Sequence, residues 1–223
     1  EATALMTLQH PNVIGVLEFG ETTDSCFLVM ELLRGESLQS YIEENPITPE
    51  TALVIADQML AGLGFAHAHG VLHRDIKPEN LFVVTQPDGS RAIKLLDFGL
   101  AKFLRNEVPL TEGYVLGTAG YLAPEAILGG ALDLRVDVYA LGVLFYRMLA
   151  GVSPFEGCED ATIFYKTLNE HPRDLRQLLP VDHEVPEGLV TLVHDCLAKE
   201  VTRRPADANI VVERLIDVVQ IGR

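Results

Sequence analysis

The segment from Val136 to Ala150 constrains the fold more than any other. Its order, Val-Asp-Val-Tyr-Ala-Leu-Gly-Val-Leu-Phe-Tyr-Arg-Met-Leu-Ala, is apolar on nearly every face of a helix. A helix without a polar side cannot lie on a surface, so the rest of the chain has to be wrapped around it. Its longest apolar run, Val138 to Tyr146, is far too short to cross a bilayer. A second helix offers it a partner. Thr48 can cap that helix, Pro49 suits its first position and Gly70 ends it. Within it Ala52, Ile55, Met59, Leu63 and Ala66 recur every three or four residues, the pattern of a buried stripe. With 223 residues there is material for one sizeable domain or two small ones.

Between these helices lies Val71-Leu-His-Arg-Asp-Ile-Lys-Pro-Glu-Asn-Leu-Phe-Val83, in which an acid, a base and an amide stand between apolar flanks. The flanks would anchor the loop and leave its polar side chains to meet a substrate. Asp75 can accept a hydroxyl proton, Lys77 can neutralise developing negative charge, and Asn80 can offer its amide oxygen to a hard cation. His73-Arg74-Asp75 alone reads better as a charged surface loop. The offset of Asn80, together with three further motifs in order, decides against that.

The remaining elements are short. Val13 to Phe19 and Cys26 to Leu32 predict two strands joined by the turn Gly20-Glu-Thr-Thr-Asp24, ahead of a break at Arg34-Gly35-Glu36. Ser37 can cap a short helix through Ile42. Leu81 to Thr85 and Ala92 to Leu96 predict a second strand pair around Pro87-Asp88-Gly89. Glu1 to Gln9 reads as a helix with Leu5 and Leu8 on one face, stopped by His10-Pro11-Asn12. Phe103 to Gly120 has no period and reads as a long functional loop. The expected class is therefore α+β, with a mainly helical region after a β-hairpin.

Composition excludes some functions. A formal net charge of -15 argues against nonspecific binding to nucleic acid or anionic membranes, while tolerating basic substrates. Cys26, Cys158 and Cys196 are odd in number and far apart, as in a reducing, cytoplasmic compartment. The crowd of His67, His69 and His73 suggests a metal site only superficially. His67 and His69, two apart at a helix end, point to different faces.

The motifs, taken together, resemble a eukaryotic-like (Hanks-type) serine/threonine protein kinase. His73-Arg74-Asp75 with Asn80 matches the catalytic loop H-R-D-x-x-x-x-N. Asp97-Phe98-Gly99 follows, then Ala123-Pro124-Glu125, then Asp137-Val-Tyr-Ala-Leu-Gly142. The wording of Val29-Met-Glu-Leu-Leu-Arg-Gly35 and Gly117-Thr-Ala-Gly-Tyr121 is similar to the bacterial branch. The resemblance runs from Glu1 to about Val219 and implies a protein-kinase-like fold, with residues 1–33 as part of an N-terminal lobe and 34–223 as the C-terminal lobe.

The resemblance also implies roles. Asp75 would be the base, Lys77 would mark a serine/threonine rather than a tyrosine kinase, and Thr118 would hydrogen-bond both. Asn80 and Asp97 would hold Mg²⁺ on the phosphates of ATP. Met30 would be the gatekeeper, Glu31 and Leu33 would offer backbone groups to adenine, and Phe82 would floor that pocket. His73 would lie under Phe98, and Asp137 would open the buried helix beneath the loop. Arg204 would pair with Glu125. Arg74 would hold a phosphorylated activation loop, with Thr111, or else Tyr114, as the phosphate carrier. Thr111 reads equally as a plain loop threonine.

Glu1 stands where the family's helix-C glutamate would, and no glycine-rich loop or V-A-I-K lysine accompanies it in the 223 residues. The absence of an initiator Met and the helical opening point to a fragment, expected to be inactive alone. Gly62-Leu-Gly64 lies inside a helix and reads as packing. A noncatalytic, kinase-derived binding or scaffold module is the rival. The four polar residues Asp75, Lys77, Asn80 and Asp97 favour the enzyme, whose partner would be a protein bearing Ser or Thr; the oligomeric state is left open.

Overall fold

Thr48 Oγ1 accepts a hydrogen bond from Thr51 N at 3.2 Å and Pro49 takes the first helical position, so the long helix starts where those residues dictate. It ends at Ala68, one residue before a His69 cap and a left-handed Gly70 at φ 71°. The computed structural model of the chain describes residues 8–22, 26–86, 88–98, 119–157, 159–179 and 185–221. In chain order these form β1 (Val16–Glu21), β2 (Cys26–Met30), β3 (Gly35–Ser37), α1 (Leu38–Glu44), α2 (Pro49–Ala68), β4 (Leu81–Thr85), β5 (Arg91–Leu95), α3 (Pro124–Ile127), α4 (Arg135–Ala150), α5 (Asp160–Asn169), α6 (Glu187–Cys196) and α7 (Ala208–Ile221). Short 3₁₀ turns cover Pro78–Asn80 and Ala119–Tyr121.

α4 is the centre. Val138, Tyr139, Leu141 and Leu144 are fully buried, as a helix without a polar face requires. α6 and α2 pack on it, and α2 in turn carries α7 and β5. The expected stripe Ala52, Ile55, Met59, Leu63 and Ala66 is buried throughout. Among the described residues α2 is the helix long and apolar enough to cross a bilayer, but 56% of that stretch is covered inside the fold, as befits a core helix. Gly62 and Gly64 are packing points. A Cβ at Gly62 would come 2.7 Å from Asn12 O, and one at Gly64 2.5 Å from Asn209 Oδ1.

Two small antiparallel sheets complete the described fold. β1 pairs with β2, and β3, β4 and β5 lie in that order. The first strand begins at Val16 rather than Val13, because Val13 and Ile14 are used elsewhere. Ile14 N donates to Leu95 O and Leu95 N to Asn12 O, both at 2.9 Å, a parallel bridge onto the end of β5. Residues 35–37, expected only as a break, form β3 and add a third strand beside β4. Gly35 permits it: at φ 149° a Cβ there would fall 1.9 Å from Val83 O. The short helix capped by Ser37 extends to Glu44, two residues past the expected end. Leu8 is buried, but residues 8–10 are not helical, and Glu1 and Leu5 lie outside the described residues. So does the expected loop up to Thr118, whereas Ala119 and Gly120 belong to a 3₁₀ turn.

Candidate active site

The site is built from the loop between α2 and β4. Asp137, in the first turn of α4 and 1% exposed, reaches up into that loop. Its Oδ2 accepts from His73 N at 2.7 Å and from His67 Nε2 at 3.0 Å, and its Oδ1 accepts from Arg74 N at 2.8 Å. Two successive amides can point at one carboxylate only if the backbone reverses between them, and Arg74 accordingly sits at φ 63°. Burial alone would raise the Asp137 carboxyl. The His67 hydrogen bond, with the histidines and the His73 amide, outweighs it and holds the group below the usual carboxylate range.

Asp75 follows that reversal. Its amide donates to His73 Nδ1 at 3.3 Å, and its Oδ2 accepts from Lys77 Nζ at 3.0 Å and Asn80 Nδ2 at 2.8 Å. The second Asn80 Nδ2 hydrogen goes to Asp75 O at 2.8 Å. Both amide hydrogens being spent, Asn80 keeps its oxygen as the group to offer. Asp75, Lys77 and Asn80 thus form one constellation, with Asp75 and Lys77 partly exposed and Asn80 buried.

Asp97 comes to the same place from β5. Leu96 N donates to Asn80 O at 2.8 Å, tying the strand end to the loop. Asp97 itself is exposed in a left-handed conformation at φ 48°. Phe98 turns inward and lies on His73, ring centroids 4.5 Å apart. His73 is fully buried, and burial pushes its pKa down although the carboxylates Asp137, Asp75 and Asp97 pull the other way. Asp97 and Phe98 line a small cavity of about 10 Å³ together with Val13, Ile14, Val16, Leu28 and Met30. Met30 and Asp97 are therefore neighbours across one cleft.

Among the described residues no cluster of three or more His, Cys, Asp or Glu could hold a metal. The oxygens of Asn80 and Asp97 are the kind of donor set that Mg²⁺ takes from a protein when phosphates and waters supply the rest. The committed amide hydrogens of Asn80 and the Leu96–Asn80 bond fit that use.

Glu31 differs from the simple expectation of a backbone contact. Its amide donates to Gly15 O at 2.9 Å, and its side chain has its own task. Oε1 accepts from Gly15 N at 2.7 Å and Lys94 Nζ at 2.6 Å. Leu33 is half-buried just before β3, and Phe82 is half-buried on β4, opposite Ser37 and Lys94. Farther away, Arg204 meets Glu125 in a two-pronged ion pair of 2.7 and 2.8 Å. Glu1, Gly99, Thr111 and Thr118 lie outside the described residues. Sequence reasoning missed Lys94 as the partner of Glu31, and weighed His67 only as a metal ligand. Nothing local signals a pair separated by 63 residues.

The family model for the protein kinase domain matches residues 1–216. The chain belongs to the protein kinase family. Among this kinase's relatives, serine/threonine-protein kinase pkn2 of Myxococcus xanthus is 37% identical over 223 residues, covering 96% of this chain and 26% of its own. Probable serine/threonine-protein kinase PknB of Lactococcus lactis is 34% identical over 98% of this chain and 33% of its own. Serine/threonine-protein kinase PknL of Mycobacterium tuberculosis is 36% identical over 100% of this chain and 52% of its own. This kinase chain thus spans between about a quarter and a half of the length of these relatives.

Proposed function

We propose that the protein transfers the γ-phosphoryl group of ATP to Ser or Thr hydroxyls of protein substrates in the cytoplasm, with Mg²⁺. The observation that carries this reading is the Asp75 carboxylate held between Lys77 Nζ and Asn80 Nδ2. A carboxylate fixed in this way orients an incoming hydroxyl and takes its proton, and the ammonium beside it meets the charge on the moving phosphoryl group. Bound Mg²⁺, held by Asn80 and Asp97, would neutralise the nucleotide phosphates. Met30, the backbone of Glu31 and Leu33, and Phe82 would receive adenine. Thr118 would steady Asp75 and Lys77, and Gly99 would let the segment after Asp97 turn away. Arg74 would hold a phosphate on Thr111. In this reading residues 1–33 belong to the N-terminal lobe, with Glu1 its helix-C glutamate, and 34–223 form the C-terminal lobe.

Positioning and charge stabilisation supply most of the acceleration in such a reaction. The test is Asp97→Asn in the full-length protein: phosphoryl transfer to a basic protein substrate should vanish while the circular dichroism spectrum stays native. Near-normal transfer by that variant would refute the assignment.

Residues 1–223 contain no glycine-rich phosphate loop and no V-A-I-K lysine to pair with Glu1. We therefore propose that this polypeptide alone is slower than an upstream-extended version by about a thousandfold or more. Equal turnover by the two would overturn that. The rival, a noncatalytic scaffold, predicts no transfer from either, with partner binding insensitive to Asp97→Asn.

A further inference from the structure

Arg147, half-buried in the last turn of α4, has a guanidinium that is used on one side and open on the other. Its Nη1 donates to Gln39 Oε1 on α1 and to Tyr121 Oη, both at 2.9 Å. Gln39 is held in that orientation because its Nε2 donates to Glu43. Both hydrogens of Nη1 are thus spent, while Nε–H and the two hydrogens of Nη2 remain. Among the described residues these have no acceptor, and no carboxylate pairs with Arg147. The chain carries 32 acidic residues against 17 basic ones, so acids are not scarce. A half-buried charge costs free energy until it is paired, and here the partner has to come from outside.

The groups that hold Arg147 also adjoin the proposed reaction centre. Tyr121 lines a cavity of about 270 Å³ that Arg74 and Asp75 line as well. α1, which carries Gln39, packs on the Pro78–Asn80 turn that follows Lys77. We infer that Arg147 is a specificity-determining residue, whose Nε–Nη2 edge takes the carboxylate of an Asp or Glu close to the phosphoacceptor of the substrate. This rests on the proposed function for the path of the substrate. That edge is the fork that meets both oxygens of a carboxylate in parallel bonds. Glu79, exposed on the Pro78–Asn80 turn, limits the choice. Burial raises the pKa of the Tyr121 hydroxyl, Arg147 opposes it and the charge of Glu79 adds to it, so Glu79 is felt at this spot. It repels a doubly charged phosphate more than a singly charged carboxylate. The net charge of -15 repels any acidic peptide at a distance, so the preference belongs to one position rather than to acidity overall.

The test is a positional scan with the full-length protein and Mg-ATP. Ser peptides in an alanine background carry Glu, Ala or Lys in turn at each position flanking the Ser. At one position Glu should raise kcat/KM about tenfold or more over Ala, the scale of hydrogen bonds to a charged group, and Lys should lower it. The Glu-to-Ala ratio at that position should fall to about one in Arg147→Gln and be kept in part by Arg147→Lys. Arg147→Glu should move the preference to Lys at the same position. A wild-type scan without a Glu preference, or with an equal one at every position, overturns the inference and needs no variant to fold. A preference that survives Arg147→Gln overturns it too. Phosphoserine favoured over Glu by about tenfold at that position would overturn the carboxylate in favour of a phosphate.

One readout does not need turnover. The ¹H–¹⁵N signal of Arg147 Nε in the wild-type protein should shift when the pooled Glu peptides are added and stay in place with the all-Ala peptide. No shift with either, or the same shift with both, overturns the inference. If the wild-type protein phosphorylates none of the peptides, the proposed function fails, while this signal still decides whether Arg147 receives a carboxylate.

Discussion

Lys94 Nζ stands 2.6 Å from Glu31 Oε1, and the bond joins the end of the β1–β2 hairpin to strand β5. The same oxygen takes the amide of Gly15, and Lys94 also reaches Val13 O at 3.3 Å. Three segments that would line the nucleotide cleft are thus held at one carboxylate. In the full-length protein Lys94→Ala should raise KM for ATP several-fold while costing less than about 1 kcal/mol of stability, since the pair is partly exposed. ATP titration of initial rates, alongside urea unfolding, checks both halves. An unchanged KM would mean that the pair does not set the cleft.

Acid should destabilise this protein well before its carboxylates titrate. Burial lowers the pKa of His73 in the fold, so the unfolded chain, with histidine near 6.5, binds the extra proton first. Stability from this group is complete above about pH 6.5 and falls as pH drops from there toward the folded value. Burial likewise lowers His194, and Asp137, whose folded pKa is depressed, adds its own loss below its ordinary value of 3.8. Urea unfolding across pH 7.5 to 5 reads the slope, to which His10, lowered by burial and by the nearby Lys94, adds. A flat profile would show His73 to be charged or exposed in solution.

Arg204 is anchored too well to be removed lightly. Its side chain is fully buried, it bonds Glu125 twice, and it also donates to the carbonyls of Ala198 and Arg135. Arg204→Ala strands a largely buried carboxylate and three carbonyls, that of Lys199 included, and should cost about 3–5 kcal/mol. Lys, a single-point donor, should recover only part of this. Thermal unfolding of both variants gives the order.

Gly35→Ala should be out of proportion to its size. The new methyl would meet Val83 O at 1.9 Å in a backbone conformation that side chains rarely adopt. A loss of at least about 2 kcal/mol is expected from strain and displacement of β3. A smaller loss in urea unfolding would mean that β3 lifts away from β4 without consequence.

Much of the fold is written locally. The all-apolar face of α4, the Thr48 and Ser37 caps and the alternation in β4 and β5 each act through neighbours in sequence, and each is where periodicity places it. The proximity of Asp75, Lys77 and Asn80 was legible because a short loop spaces them. What sequence could not convey is tertiary. Residues 13 and 14 leave their strand to bridge Leu95, Gly35–Ser37 becomes a strand only because β4 lies alongside, and Glu31 finds Lys94 across the cleft. His67 looked like one of three crowded histidines, and its partners Asp137 and Ala208 are distant in the chain.

Among the described residues, only two side-chain-bearing positions have left-handed backbones, Arg74 and Asp97, and they flank Asp75 and Asn80. Glycine would rest in either place without strain, and each non-glycine residue there costs about 1–2 kcal/mol. Arg74→Gly and Asp97→Gly are thus substitutions that ease the backbone while deleting a functional group. A lineage released from chemistry and kept only for its surface would drift toward glycine or asparagine at these two positions. This chain holds arginine and aspartate there, so at both positions it carries a charged side chain in place of the residue that would ease the backbone.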